Sequence, residues 1–261
     1  MKFKRIHWRF VSLFALVTIA ICLGAWPRRQ ARSAPNPLPT PPDQTQKRQR
    51  HFDHFPVADY NEELPANSAE RDKRVKINHR YDGNPMVPSQ PPRPEITGSY
   101  SIPEGIAPQP ALPTAGSDLV VVGRVSATRA HLSNDKKAIY SEFCIDVTEV
   151  LKDDEKNSTE VGQSIGVDQP GGYVRYPNGQ TYLLHFEGAG FPDLGDSVLL
   201  FLVSDRNSPN YQMLAGYELL DTSFLPLTPY LDLADIAGKS RTELLEATRQ
   251  RVKSSLPEKS P

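Results

Sequence analysis

The chain has 261 residues, 25 of them proline, with a hydrophobic fraction of 38% and a mean hydropathy of −0.48, a balance that excludes one packed globule running from end to end. Charge divides it in two: residues 1–116 carry 16 Lys+Arg against 10 Asp+Glu, and residues 117–261 carry 14 against 21. The net-acidic second half argues against a nucleic-acid partner, because neutralising phosphates takes clustered Lys and Arg.

The N-terminus has the order of an export signal. Lys2, Lys4, Arg5 and Arg9 precede an uncharged run from Phe10 to Trp26, which Pro27, Arg28 and Arg29 close. Its 17 residues lie between a signal-peptide core of about 7–15 and the roughly 20 needed to span a bilayer. Residues 1–26 are therefore read as a signal-anchor, or a signal peptide cleaved near Ala25, with Trp26 at the interface. Cys22 follows Ile21 where a lipobox needs a small residue, so lipidation has little support. The basic residues before the run place the remainder of the chain on the non-cytoplasmic side of a membrane, anchored through residues 10–26 or secreted.

Seventeen of the prolines fall between Pro27 and Pro113, and no apolar run there is long enough for a core element. Residues 27–116 are expected to form a disordered Pro-rich tether, spanning on the order of 50 Å as a flexible coil. Two features interrupt it. His51 and His54 flank Asp53 but supply too few ligands for a metal, and Phe52, Phe55 and Tyr60 are candidates for a docking peptide. The mixed-charge run from Glu70 to Lys76 has the composition of a short helix.

From Ser117 apolar and polar residues alternate, the signature of strands. The first runs from Leu119 to Ala127, with Leu119, Val121, Val125 and Ala127 on one face; the second runs from Ile139 to Leu151, with Phe143, Ile145 and Val147 inward. Alternation slips at Val150, which predicts a bulge. Ile165 and Val167 mark a third strand. Tyr173 to Tyr176 and Tyr182 to Phe186 flank Pro177-Asn178-Gly179, a hairpin signal. The continuous run Val198 to Val203 is expected to be the most buried strand, with Tyr211 to Leu214 as its partner. Ser240 and Glu243 form a capping box for a helix with Leu244, Leu245, Thr248 and Val252 on one stripe. The fold class is mainly β: a small Greek-key barrel over residues 117–230, with a C-terminal helix and tail over residues 231–261.

The strand text Ser117 to Val125, Tyr140 to Lys152 and Leu194 to Leu202 resembles the OB-type barrel of the netrin and tissue-inhibitor-of-metalloproteinases class, and also resembles bacterial exported proteins with this strand pattern. In those inhibitors, the resemblance implies, an N-terminal cysteine chelates the protease zinc and disulfides brace the barrel. Here Cys144 is the one cysteine beyond the membrane segment, so that mechanism does not carry over.

Gly162-Gln163-Ser164-Ile165-Gly166 matches a nucleophile elbow, but an acidic polar loop precedes it and no helix follows, while His185 precedes Asp193 in the wrong order for a hydrolase triad. No catalytic residue, metal site or cofactor is assigned. The candidate interaction surface is Tyr173, Tyr176 and Tyr182 on the hairpin together with His185. These readings lead to a membrane-tethered extracytoplasmic binding or interaction module, with a hydrolase using His185 and nearby acidic residues as the alternative. The intact protein is expected in the membrane fraction, its Pro-rich stretch open to protease added from the non-cytoplasmic side; a soluble form beginning near Ala25 would identify a cleaved signal instead.

Overall fold

The computed structural model describes residues 55–91, 98–100, 108–154, 156–205 and 208–255. The expected membrane segment and His51 to His54 lie outside the described residues, and among the described residues no helix is long and apolar enough to cross a membrane. In chain order the elements are β1 (Val57–Asp59), α1 (Ser68–His79), β2 (Gly98–Tyr100), β3 (Gln109–Pro110), β4 (Leu119–Leu132), β5 (Ile139–Lys152) and β6 (Ser164–Pro170), then β7 (Gly172–Arg175), β8 (Thr181–Phe186), β9 (Ser197–Val203), β10 (Tyr211–Leu219), β11 (Phe224–Pro226), β12 (Leu231–Asp232) and α2 (Arg241–Ser255).

Strand β4 pairs antiparallel with β5 and with β9, β5 pairs antiparallel with β6, β6 runs parallel to β10, and β10 returns antiparallel to β9. This circuit closes a five-stranded barrel, compatible with an OB-like topology. Closing so few strands demands strong bending, which bulges supply. Leu151 and Thr148 are each an extra residue of β5 opposite β4, so the expected slip around Val150 is real. Gly123 lies at the same bend, where an added Cβ would run into Ile145 and come within 2.9 Å of the Asp146 carbonyl.

The alternation places Leu119, Val121, Val125, Phe143, Ile145, Val147, Ile165, Val167, Val198, Leu200 and Leu202 inside the barrel. Ala127 is an exception. A third bulge at Ser126 shifts the phase, so that Ala127 pairs with Cys144 on the outer face and joins no interior cluster. The odd-numbered half of the Val198 to Val203 run faces the other way. Leu199 and Phe201 pack with Val120, Val122, Tyr217 and Leu244 beneath α2, which explains why this strand is apolar on both faces. The capping box forms as expected: the Ser240 backbone N–H donates to Glu243 Oε2 at 2.7 Å and the Glu243 N–H donates to Ser240 Oγ at 3.3 Å. Leu244, Thr248 and Val252 are the buried stripe of α2.

The largest correction concerns the tether. Residues 55–91 and 108–116 are not a spacer: Phe55, Ala58, Ile77, Tyr81, Val87, Ala111 and Leu112 are all buried. Apart from the adjacent Ala111 and Leu112, these apolar residues are scattered, so no periodic run announces a core element. The barrel's outer faces provide the surface that buries them.

Phe201 is fully buried between the barrel wall and α2, so Phe201→Ala is expected to cost about 3–5 kcal/mol through lost transfer energy and a new cavity. A denaturant melt that leaves the midpoint unchanged would refute this packing.

Candidate interaction site

Beyond β6 the chain must leave the barrel wall, and Gly171 and Gly172 make that turn with φ of 110° and 139°. Hairpin β7–β8 then forms a separate sheet that packs against the barrel, Leu183 joining its core cluster and Val174 and Leu184 packing with Ala130 and Ile139. In its turn Gly179 has positive φ, and the Asn178 side chain accepts from the Gln180 N–H at 3.0 Å. The hairpin takes an extra parallel strand on each edge. Strand β1 pairs with β7 in the register Val57 to Tyr173, and β2 pairs with β8 in the register Gly98 to Leu184.

Strand β1 is held at both ends by aromatic residues. Phe55 is buried, with its ring centroid 5.7 Å from Tyr173, 6.5 Å from His185 and 4.5 Å from Phe191. At the other end Tyr60 stacks on Tyr176 at 5.1 Å, and the Tyr60 N–H donates to the Arg175 carbonyl at 2.8 Å. The Tyr176 hydroxyl donates to the Pro88 carbonyl at 2.7 Å and that of Tyr182 to the Met86 carbonyl at 3.3 Å. Burial, with Tyr60 and Tyr182 nearby, pushes the Tyr176 phenol up to about 12, so it stays a donor.

The four residues expected to form an interaction surface are thus brought to one hairpin, but not as free surface. Tyr176 and Tyr182 are buried, Tyr173 and His185 half-buried. The correction has a simple cause: residues 55–60 and 86–88 of the same chain cover them. Phe55 and Tyr60, read as docking-peptide residues, meet this hairpin in cis.

A second contact was not legible in the sequence. Helix α1 lies against the outer face of β5 and β6, capped by Asn67, whose Oδ1 accepts from the N–H groups of Ala69 and Glu70. Arg74 donates to Glu142 Oε2 at 2.7 Å and to the Tyr140 hydroxyl at 3.1 Å, and that hydroxyl donates to Asn78 Oδ1 at 2.6 Å. Just past the helix, Arg80 donates to Asp168 at 3.1 Å and to Asp205 at 3.1 Å. The Asn210 amide bridges the two strand carboxylates, donating to Glu142 at 2.8 Å and to Asp168 at 2.9 Å. Tyr81 stacks on Tyr140 with centroids 4.4 Å apart.

The two carboxylates respond differently to this seam. Burial would raise Glu142, but contact with His131, the charge of Arg74 and donation from Asn210 outweigh it and hold Glu142 well below the ordinary range. Burial dominates at Asp168 and pushes it up to about 6, against the pull of Asn210 and Arg80. The face used here, with the β4–β5 loop and the segment after β9, is where OB-folds present their ligand site. From the β4–β5 loop, Asn134 Nδ2 donates to the Val75 carbonyl at 3.1 Å and Lys136 Nζ to the Tyr60 carbonyl at 2.9 Å.

The rejected catalytic motif fits its strand reading: Ser164 opens β6 as an exposed residue, with no helix behind it. In the acidic loop, Asp153 accepts from Ser158 and Thr159, and Asp154 accepts from the Lys156 N–H, so these carboxylates shape turns. Among the described residues no group of three or more His, Cys, Asp or Glu is placed to hold a metal ion. No protein-family model matches the chain, and no curated protein matches it.

Removing Arg74 leaves a buried carboxylate without its guanidinium. Arg74→Ala is expected to cost about 3–5 kcal/mol, or to release α1 locally. Hydrogen exchange across residues 68–81 together with a denaturant melt distinguishes the two; protection and midpoint both at wild-type values would contradict the role given to this pair.

Proposed function

We propose that the protein is a membrane-tethered, extracytoplasmic interaction module that recognises an extended peptide segment by strand addition to hairpin β7–β8. One observation carries this reading. The chain's own residues Phe55–Tyr60 lie on the hairpin as a parallel strand, with main-chain pairing along Val57–Asp59 and an aromatic anchor at each end. This is the division of labour in peptide recognition by strand addition, where backbone hydrogen bonds supply affinity and side-chain pockets supply selectivity.

In this reading the segment is a ligand held in cis, and a partner strand of the same pattern competes with it. A short flexible connection gives a cis ligand an effective concentration in the millimolar range, so exchange favours a partner that is itself held nearby. Two sequence features support placement at a membrane: the uncharged run of residues 10–26 and the Pro-rich stretch after it. The resemblance to the netrin and metalloproteinase-inhibitor class supports a barrel that works through protein contact, though without the cysteine on which that class relies.

The test is exchange in trans. A labelled peptide of residues 50–62 is titrated into the full chain and into its Phe55→Ser/Tyr60→Ser variant, with a melt to confirm that the variant is folded. The variant is expected to bind about tenfold tighter or more than the wild type, and a peptide carrying the same two substitutions is expected not to bind. Equal binding to both proteins, or none to a folded variant, would sink the reading.

A further inference from the structure

Helix α1 has little apolar surface to hold it down. Of its 12 residues Ile77 and Asn78 are the buried ones, and Tyr81, just beyond it, packs with Ile77 against Ala138 and Tyr140. Its docking therefore leans on the polar seam, and that seam brings two negative groups to one donor. Glu142 and Asp168 both accept from the same Asn210 amide nitrogen, at 2.8 Å and 2.9 Å, and both are buried. Burial and a neighbouring carboxylate each disfavour the ionised form, so closing the helix over this pair favours a proton on one of them.

The geometry selects which. Glu142 has the Arg74 guanidinium at 2.7 Å and His131 Nε2 at 3.3 Å. Asp168 shares Arg80 with Asp205, each at 3.1 Å. Its Oδ1 accepts from Asn210 and its Oδ2 from Arg80, which leaves a second lone pair on either oxygen for a proton. The other titratable groups at the seam are Lys73, which lines a groove with Asn210 and Asp205, Glu62, whose Oε2 is 3.9 Å from His131 Nδ1, and the Tyr81 and Tyr140 phenols, which burial raises and keeps neutral. The opposite displacements of the two carboxyls, Glu142 down and Asp168 up, agree with this assignment.

We propose that the docking of α1 on the barrel is a proton-taking latch: the helix closes over Asp168 in its neutral form and loosens as that carboxyl ionises. When α1 lifts away, Asp168 returns to water and to an ordinary aspartate value of about 3.9. The stabilisation is therefore complete below about 3.9 and is lost as pH rises through about 6. Glu142, displaced downward, acts in the opposite sense, and its contribution is lost only as pH falls below the ordinary glutamate value of about 4.3. The helix is thus held most firmly in mild acid. The latch stands on the seam alone and does not rest on strand exchange at the hairpin.

Hydrogen exchange of the purified full chain, corrected for the intrinsic pH dependence of amide exchange, tests this at about pH 5 and about pH 8. Protection across residues 68–81, taken relative to strand β4, is expected to be about tenfold greater at the lower pH. Asp168→Asn keeps the shape of the neutral carboxyl and cannot ionise, so its ratio is expected to fall below about twofold. A ratio near one in the wild type overturns the proposal. So does a ratio that survives in folded Asp168→Asn, or one that a folded His131→Gln abolishes, which would give the proton to the imidazole. If Asp168→Asn does not fold, a carbon-13 titration of the Asp168 side-chain carboxyl in the wild type decides: a midpoint well above the ordinary aspartate range is expected, and one within that range overturns the latch.

Discussion

Two carboxylates that β5 and β6 turn toward the same outer face, Glu142 and Asp168, are almost wholly removed from water, and the rest of the arrangement depends on how they are compensated. A buried carboxylate is tolerated only when opposite charge and hydrogen bonds replace its hydration. The barrel supplies Asn210 and His131, and the two guanidinium partners, Arg74 and Arg80, come from a stretch far earlier in the chain. The N-terminal segment is thereby part of the barrel's own electrostatic balance. Once α1 is fastened, the chain before it is led to the hairpin, where Phe55 and Tyr60 find their aromatic partners.

The two contacts made by this segment differ in kind. At α1 the seam is polar, with charged groups in fixed geometry, which favours one register over others. At the hairpin the contact is backbone pairing with aromatic ends, which is repeatable by any extended segment of similar pattern. The proposed exchange is therefore placed at the hairpin, while α1 is fastened by its ion pair and hydrogen bonds. An OB-like barrel ordinarily offers the face of its second and third strands to ligands; here α1 lies against that face through Arg74 and Asn78.

Much of the barrel was legible. Alternation in the Leu119, Ile139 and Ser164 regions, the apolar run at Val198 and the capping box at Ser240 are local patterns, and each formed the element it specified. Ala127 was misplaced because the bulge at Ser126 leaves no mark on the hydrophobic pattern. Helix α1 was anticipated from composition, yet its buried stripe was not, since Arg74, Ile77, Asn78 and Tyr81 have helical spacing but only half of them are hydrophobic. The hairpin tyrosines, read as an interaction surface, are contacted by residues 55–60 and 86–88 of the same chain. Their partner was missed because it lay in a stretch whose prolines and isolated apolar residues read as linker.

Sequence by itself determined where the five barrel strands begin and where the C-terminal helix forms, because periods of 2 and 3.6 residues are written between near neighbours; β4 and β10 run further than their patterns, to Leu132 and Leu219. It also determined that an uncharged run and a Pro-rich stretch precede the barrel. Only the tertiary structure decided that residues 55–91 fold, that Tyr176 and Tyr182 are covered, and that Glu142 has a cationic partner 68 positions earlier. The physical reason is that burial of a lone Phe55 or pairing of Arg74 needs a surface assembled by closing the barrel. No neighbour in the chain signals that surface in advance.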